Sequence, residues 1–344
     1  MKSHLNFSLK SSNSFSFESI TPCIYYPESI ADLKALSLLA IENFYILGEG
    51  SNTLFLSTQA PVIIHAQFMG IEVNEEDDAY YVSVGSGENW HQLVTFCVEQ
   101  GYGGLENLAL IPGSVGAAPI QNIGAYGVEL SQVVDHVYWY EFASQTMVKL
   151  SQHECQFGYR DSIFKNALKD KGIITKVCLK LPKHWQANIS YQGLDDLENP
   201  TAAEIYQRVI DIRQAKLPDP KVKPNAGSFF KNPIVDHQQY QQLLQKHPDM
   251  PAYVQANGQV KLAAGWLIEQ AGFKGIEKNG VGVHNKQALV LVNHGNGCGE
   301  AIYQLALEIN KTVFSQFGVY LQPEVRLIST HGVVGNGDFH GSIN

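Results

Sequence analysis

The chain has 344 residues, 44% of them hydrophobic and 17% charged, with a formal net charge of −9; this is a globular composition with room for two or three domains, and its acidity argues against nucleic acid or an anionic membrane as partner. There is no run of about 18 apolar residues, and MKSHLNFSLKSSNSFSF at the start lacks an apolar stretch of signal-peptide length. The five cysteines form no C-x-x-C and the twelve histidines no H-E-x-x-H, so the reading is a cytoplasmic protein with reduced thiols and no metal.

In chain order, residues 28–43 predict a helix with Ser29 as N-cap and Asp32 three positions on. FYIL (44–47) and APVIIHAQ (60–67) predict short buried strands, and YYVSVGSG (80–87) alternates like a strand. ENWHQLVTFCVEQ (88–100) reads as a helix, and 133–150 and 172–181 are strand-like. Thr201 and Glu204 have the spacing of a capping box, opening the helix AAEIYQRVIDIRQ. Beyond Lys216 the chain turns Pro-rich and basic. KLAAGWLIEQAG (261–272) predicts a helix closed by Gly272, QALVLVN a buried strand, residues 299–318 an amphipathic helix ending near Gly318, and EVRLIS a last strand. Elements in runs, without strict alternation, predict α+β domains. A boundary falls at 209–216 and another near 68. The polar, Gly-rich tail 330–344 is expected to be poorly ordered.

Three stretches carry chemistry. Gly48-Glu49-Gly50-Ser51-Asn52 leaves a strand and suits either a phosphate cradle or a tight turn; it has neither the third glycine of G-x-G-x-x-G nor a P-loop lysine. Residues 107–128 run for twenty-two positions without a charge and hold four glycines and two prolines. A covered loop of that length needs partners for its backbone, which a large flat ligand with phosphates supplies, and a flavin dinucleotide fits. Between Arg213 and Lys231 five cations stand against one acid, a local +4 in an acidic chain, read on charge alone as either a solvated loop or an anion site.

LGEGSN, LENLALIPGSVGAAPIQNIGAYG, FGYRDSIFK, KLPDP, NAGSFFKNP and LQPEVRLI occur here in that order. Together, over about residues 15–330, they resemble the bacterial UDP-N-acetylenolpyruvoylglucosamine reductases of peptidoglycan synthesis. NISYQGL, with Tyr191, is similar to the form of that family with an extra tyrosine-bearing loop. The resemblance implies an FAD-binding region of the vanillyl-alcohol-oxidase type in two subdomains (1–68 joined by 319–344, and 69–209) plus a C-terminal α+β substrate domain (210–318). It implies non-covalent FAD as cofactor, NADPH as reductant and the enolpyruvyl ether of UDP-N-acetylglucosamine as substrate, in a protein expected to be a monomer.

It also implies roles that the residues alone leave open. Arg160, otherwise a salt-bridge partner for Asp161, becomes the cation that stabilises an enediolate. Glu324, otherwise a surface partner of Arg326, becomes a hydrogen-bond or proton donor to it. Ser228, otherwise part of a Gly-Ser turn, becomes the proton donor to carbon. Lys216, Asn232, Tyr191 and Gln287 match substrate positions, and Gly48, Gly50, Ser51, Asn52, Ser114, Gly116, Ile120 and Gly124 match the flavin site. His91 and His284 read as structural. Two alternatives remain: an FAD-dependent oxidase of the same fold class, and a non-catalytic nucleotide-sugar binder.

Overall fold

The computed structural model describes residues 1–255 and 257–335 together with Gly337 and Phe339. The chain forms two compact units, the first built from residues 1–7, 21–50 and 61–215 and the second from 8–20, 51–60 and 216–344.

In the first unit the strands Ile20–Tyr26, Val62–Ile64 and Phe44–Ile46 lie side by side and run parallel. Parallel strands place their carboxyl ends at one edge, where the loop 48–52 leaves the sheet. A second sheet is antiparallel throughout, in the order Thr146–Ser151, Val134–Glu141, Gly172–Pro182, Ala79–Gly85, Ile71–Glu75. Its alternation is plain in Ala79–Gly85, where Val82 and Val84 are buried while Tyr81 and Ser83 on the other face are half-exposed. The helix Trp90–Glu99 buries Trp90, Leu93, Val94 and Cys97, one face at helical spacing, and Asn89 caps it by accepting from the Gln92 amide. The helix Ala202–Lys216 opens with the expected box: Thr201 and Glu204 bond each other's backbone N–H.

The second unit is organised around the helix Gly299–Phe317, whose Ile302, Leu305, Ala306, Ile309 and Val313 are buried in one core with Phe229 and Phe230. A four-stranded sheet has the order Asn225–Ser228, Val290–Asn293, Val281–Val283, Glu277–Lys278. Arg326–Ser329 pairs in parallel with Thr53–Phe55, which is how the stretch 51–60 joins this unit.

Several expectations shift. The helix expected over 28–43 is Ile30–Ser37. Leu38 and Leu39 are 76% and 50% exposed, so no buried face carries the helix further, and Ala40 takes a left-handed φ of 47°. The helix expected from Lys261 starts at Ala264; Val260–Leu262 is a strand that buries Val260 and Leu262, a period of two. The polar helix His237–Lys246 was not anticipated, since it buries Leu243 alone, nor was the exposed strand Lys2–Ser8. The tail is more ordered than expected as far as it is described: Gly332–Val333 pairs with Arg326–Ser329 and Phe339 is fully buried. The rest of the tail expectation, at residues 336, 338 and 340–344, lies outside the described residues.

A Cβ at Gly299 would overlap the carbonyl oxygen of Phe55, at the start of the unit's longest helix. Gly299→Ala is therefore expected to destabilise the protein by roughly 1–3 kcal/mol, the usual range for overpacking. A melting temperature unchanged in circular dichroism would contradict this close approach.

Candidate active site

Both glycine loops belong largely to the first unit, and they meet. A Cβ on Gly48 would lie 2.7 Å from Ser114 Oγ and 3.4 Å from Ala117 Cβ. The residues 86–90 hold both: Glu49 accepts from the Asn89 side chain at 2.6 Å, while Gly116 N–H donates to Ser86 O at 2.9 Å and Val115 N–H to Glu88 O at 2.8 Å. Among the described residues, the backbone N–H groups of Gly48, Glu49 and Gly50 have no hydrogen-bond partner. Successive unpaired amides with a left-handed Gly50 (φ 67°) form the concave donor set that suits a phosphate. The amides of 115–118 are already engaged within the protein, so Gly116 contributes close packing instead. A Cβ there would sit 2.6 Å from Ser86 Cβ. Ser51 and Asn52 open the next segment of the second unit, where the Asn52 side chain donates to Glu324 O at 3.2 Å.

The uncharged loop is held by polar side chains, two of them from elsewhere in its unit. Ser162 donates to Ile120 O at 2.7 Å, Arg160 donates to the carbonyls of Asn122 and Gly124, and Asn107 donates to Tyr126 O at 2.8 Å. Arg160 sits at the corner of a tight turn closed by reciprocal Gly158–Asp161 backbone bonds, with a left-handed φ of 53°. That conformation costs about 1–2 kcal/mol in a residue with a side chain. Glycine at 124 leaves room for the approach, since a Cβ would lie 3.0 Å from Arg160 Nη1. The hub of this arrangement, Asn122, escaped the sequence reading. It is buried, takes a φ of 43°, and its side chain bonds Glu129, Gly158 O and the Ser131 amide. An asparagine closing a Pro-Ile-Gln turn was the available signal, since asparagine tolerates that conformation.

Tyr126 and Gly127, with φ of 49° and 84°, form the two-residue turn of a small hairpin in which Gly124 pairs with Glu129. The Tyr126 ring packs edge-on to Tyr191 at 4.9 Å, and its hydroxyl lies near Arg213. Burial pulls the Arg213 pKa down, opposed by Tyr126, and the side chain keeps its charge. Arg213 had been counted only as one charge of the basic stretch; its place beside two tyrosines was not legible there. His91 accepts from the Leu110 amide at 3.1 Å and stacks on Tyr206, as a structural histidine does.

In the second unit, Ser228 ends the strand Asn225–Ser228 and pairs with Val290 across an irregularity at Gly227, which has a φ of 69°. The buried Phe229 and Phe230 follow. Phe229 N–H donates to Leu289 O at 2.7 Å, and Phe229 O accepts from the Glu324 amide at 2.8 Å. Phe230 bridges Pro323, and Lys231 N–H donates to Gln322 O. The serine and glutamate segments are thus neighbours in one ladder. Asn232 Oδ1 accepts from the Ala264 amide at 3.0 Å, and Gln287 Oε1 would lie 3.1 Å from a Cβ on Gly265, so both side chains sit over the first turn of Ala264–Gln270. Burial, then the charges of Lys223 and Lys286, lower the pKa of His284, which marks a positive field beside Gln287. Lys216 is exposed at the end of its helix.

The sequence was compared with known proteins. The profile of "UDP-N-acetylenolpyruvoylglucosamine reductase, C-terminal domain" matches residues 219–328, and that of "FAD binding domain" matches residues 21–146. The chain is 50% identical over 291 residues to the UDP-N-acetylenolpyruvoylglucosamine reductase of Escherichia coli O157:H7, covering 84% of this chain and 85% of that one. It is 48% identical over 332 residues to the enzyme of the same name from Vibrio cholerae, covering 95% of each. A solved UDP-N-acetylenolpyruvylglucosamine reductase from Thermus caldophilus superposes with a TM-score of 0.66 over 95% of this chain and 98% of that one, at 22% identity, which speaks to the fold.

Glu106, at the entry to the uncharged loop, is 2% exposed. It accepts from Trp185 Nε1 at 2.9 Å and from the Gly104 amide at 2.7 Å, yet burial raises its pKa. A carboxyl whose folded pKa lies above its unfolded value binds more protons when folded, so its contribution to stability falls as pH rises from the ordinary carboxylate range to the folded value. Glu106→Gln is expected to gain stability relative to the parent across that window. Melting temperatures of the pair measured from pH 4 to 7 test this; a difference that stays constant or shrinks with pH would contradict it.

Proposed function

Starting from the premise that this chain belongs to the UDP-N-acetylenolpyruvoylglucosamine reductase family, we propose how its residues share the reaction. The protein is a flavin-dependent oxidoreductase that reduces UDP-N-acetylglucosamine enolpyruvate to UDP-N-acetylmuramate for peptidoglycan synthesis. The reductant is NADPH, and the protein works as a cytoplasmic monomer. No helix among the described residues is long and apolar enough to cross a membrane.

The chemistry that FAD supplies when bound is hydride transfer, from NADPH to the terminal carbon of the enolpyruvyl group. The amides of Gly48, Glu49 and Gly50 would hold its phosphates. Gly48, Gly50, Ser51, Asn52, Ser114, Gly116, Ile120 and Gly124 would line its site, the uncharged loop covering the apolar ring. The functional division proposed is an FAD-binding region of 1–68 with 319–344 and of 69–209, and a substrate region of 210–318.

Adding hydride to the terminal carbon leaves negative charge on the substrate carboxylate as an enediolate. Arg160 neutralises it, because a guanidinium carries five N–H donors and can hold two loop carbonyls and still face a carboxylate. Glu324 in its protonated form donates a hydrogen bond to the same oxygens. Ser228 gives its proton to the carbon bearing the ether oxygen, which completes the addition of hydride and proton across the double bond. Lys216, Asn232 and Tyr191 bind the diphosphate end of the substrate, and Gln287 lines the substrate pocket. The Asn232 amide NH₂ is the group for this, as its oxygen caps Ala264. Tyr126 and Arg213 extend the same role from beside Tyr191.

The observation that best supports this reading is the bond from the Glu324 amide to Phe229 O, which ties the two acid-bearing segments together at adjacent positions. Anaerobic spectroscopy tests the whole reading: NADPH should bleach the flavin band near 450 nm, and the enolpyruvyl nucleotide sugar should restore it. Restoration by oxygen alone would favour an oxidase, and colourless protein a binding module.

Gly48→Asp tests the cofactor loop. The added side chain first meets the small Ser114 hydroxyl, so the fold has room to adjust, but a carboxylate would face the amides assigned to phosphate. Folded Gly48→Asp protein is expected to lose most of its FAD, and full flavin content would remove this loop from the site. Gly116 is a poorer choice, because any Cβ there collides with Ser86.

A further inference from the structure

We propose that Asn188 is a positioning residue for the substrate: it docks the loop that carries Tyr191 onto the turn of the Tyr126–Gly127 hairpin. Tyr191 lies in the irregular stretch between the strand Gly172–Pro182 and the helix Ala202–Lys216, and it is 42% exposed. A surface segment without ladder bonds of its own needs side chains to hold its shape. Asn188 is bonded on three sides. Its amide nitrogen donates to Gly127 O at 3.0 Å. Its Oδ1 accepts from the Ser190 hydroxyl at 2.8 Å and from the Ser190 amide at 3.3 Å, an Asx turn that leads into Tyr191. Its backbone carbonyl accepts from the Asn107 side chain at 2.9 Å, and the same Asn107 nitrogen donates to Tyr126 O at 2.8 Å.

Hairpin and loop therefore meet along a short seam. A Cβ on Gly127 would lie 3.1 Å from Asn188 Oδ1 and 3.2 Å from Ser190 Oγ, so the left-handed glycine of the turn also lets the loop come close. At the end of the seam the Tyr191 ring packs edge-on to Tyr126. Beyond Tyr191 the loop is anchored again. Leu194 is fully buried, its amide donates to Tyr191 O at 2.9 Å, and Arg208 donates to Gly193 O at 3.2 Å and to Asp196 at 2.9 Å. Tyr191 thus sits between two fixed points, and Asn188 provides the one on the hairpin side. Bonds made before the ligand arrives lower the ordering cost of binding it, so their loss weakens affinity and leaves the chemical steps alone.

The inference rests on the reading that Tyr191 contacts the diphosphate of the substrate. The test is steady-state kinetics and flavin difference titration of the full-length holoenzyme with UDP-N-acetylglucosamine enolpyruvate, for two variants. Asn188→Ser is neutral, keeps an oxygen for the turn and is too short to reach Gly127 O; Asn188→Asp keeps the turn and removes the donor. Losing the bond to Gly127 should raise the KM and the dissociation constant for the nucleotide sugar about three- to tenfold in both variants, with kcat, FAD content and reduction by NADPH within about twofold of the parent. Parent-like KM in both would overturn the inference. So would an effect confined to one variant, which would trace to the charge of the aspartate or to the shortened turn, and so would an equal fall in both half-reactions, which would make Asn188 part of the fold alone. Tyr191→Ala separates the levels. Its KM should rise, and adding Asn188→Ser to it should change little further, because the asparagine acts through the tyrosine; a full additional loss in the double variant would overturn the inference. If Tyr191→Ala itself keeps a parent-like KM, the reading of the tyrosine fails and the inference with it; if its KM rises while the Asn188 variants stay parent-like, Asn188 alone is misassigned.

Discussion

The site in the first unit depends on polar groups that seize the carbonyls of a loop having no charges of its own. Arg160 takes the oxygens of Asn122 and Gly124, Ser162 takes Ile120 and Asn107 takes Tyr126, so alternate carbonyls from 120 to 126 are all bound from outside the loop's own backbone. An unpaired buried carbonyl costs about 1–3 kcal/mol, and without these partners so long a covered loop would not keep one shape. The glycine at 124 lets the guanidinium in, and the left-handed turn at Arg160 delivers it. Structure and proposed chemistry thus meet in one residue: Arg160 is held in place by the loop it supports.

The second unit uses the opposite device. Ser228 stands between a glycine with positive φ and two fully buried phenylalanines. The rings fix the strand in the core while the irregularity at Gly227 sets the angle at which the serine emerges. The backbone bond from Glu324 to Phe229 then carries the same registration to the carboxyl group. Rigid apolar anchors next to a small polar group would suit the proton donor proposed at Ser228.

Much of this was legible in the sequence where local chemistry decides. The Thr201–Glu204 box, the Asn89-flanked helix and the strands around 44–47, 80–87 and 290–293 follow from capping and periodicity. The motif glycines were found because glycine is informative by itself. Illegible features were those set by distant partners. Nothing near Asn122 announces that it will bond Gly158, and nothing near Arg213 announces Tyr126. The helix expected over 28–43 overran because its apolar residues suggested a face that no neighbour covers.

Assigning the proton to Ser228 is the central claim, and Ser228→Ala examined by anaerobic stopped flow tests it most directly. The two half-reactions share one flavin and only the second protonates carbon. Reduction by NADPH should keep a near-normal rate, while reoxidation by the enolpyruvyl nucleotide sugar should slow by about 10²–10⁴-fold, the range for positioned proton transfer. Fast reoxidation by that substrate would contradict the assignment, and equal loss in both half-reactions would make Ser228 a structural turn residue.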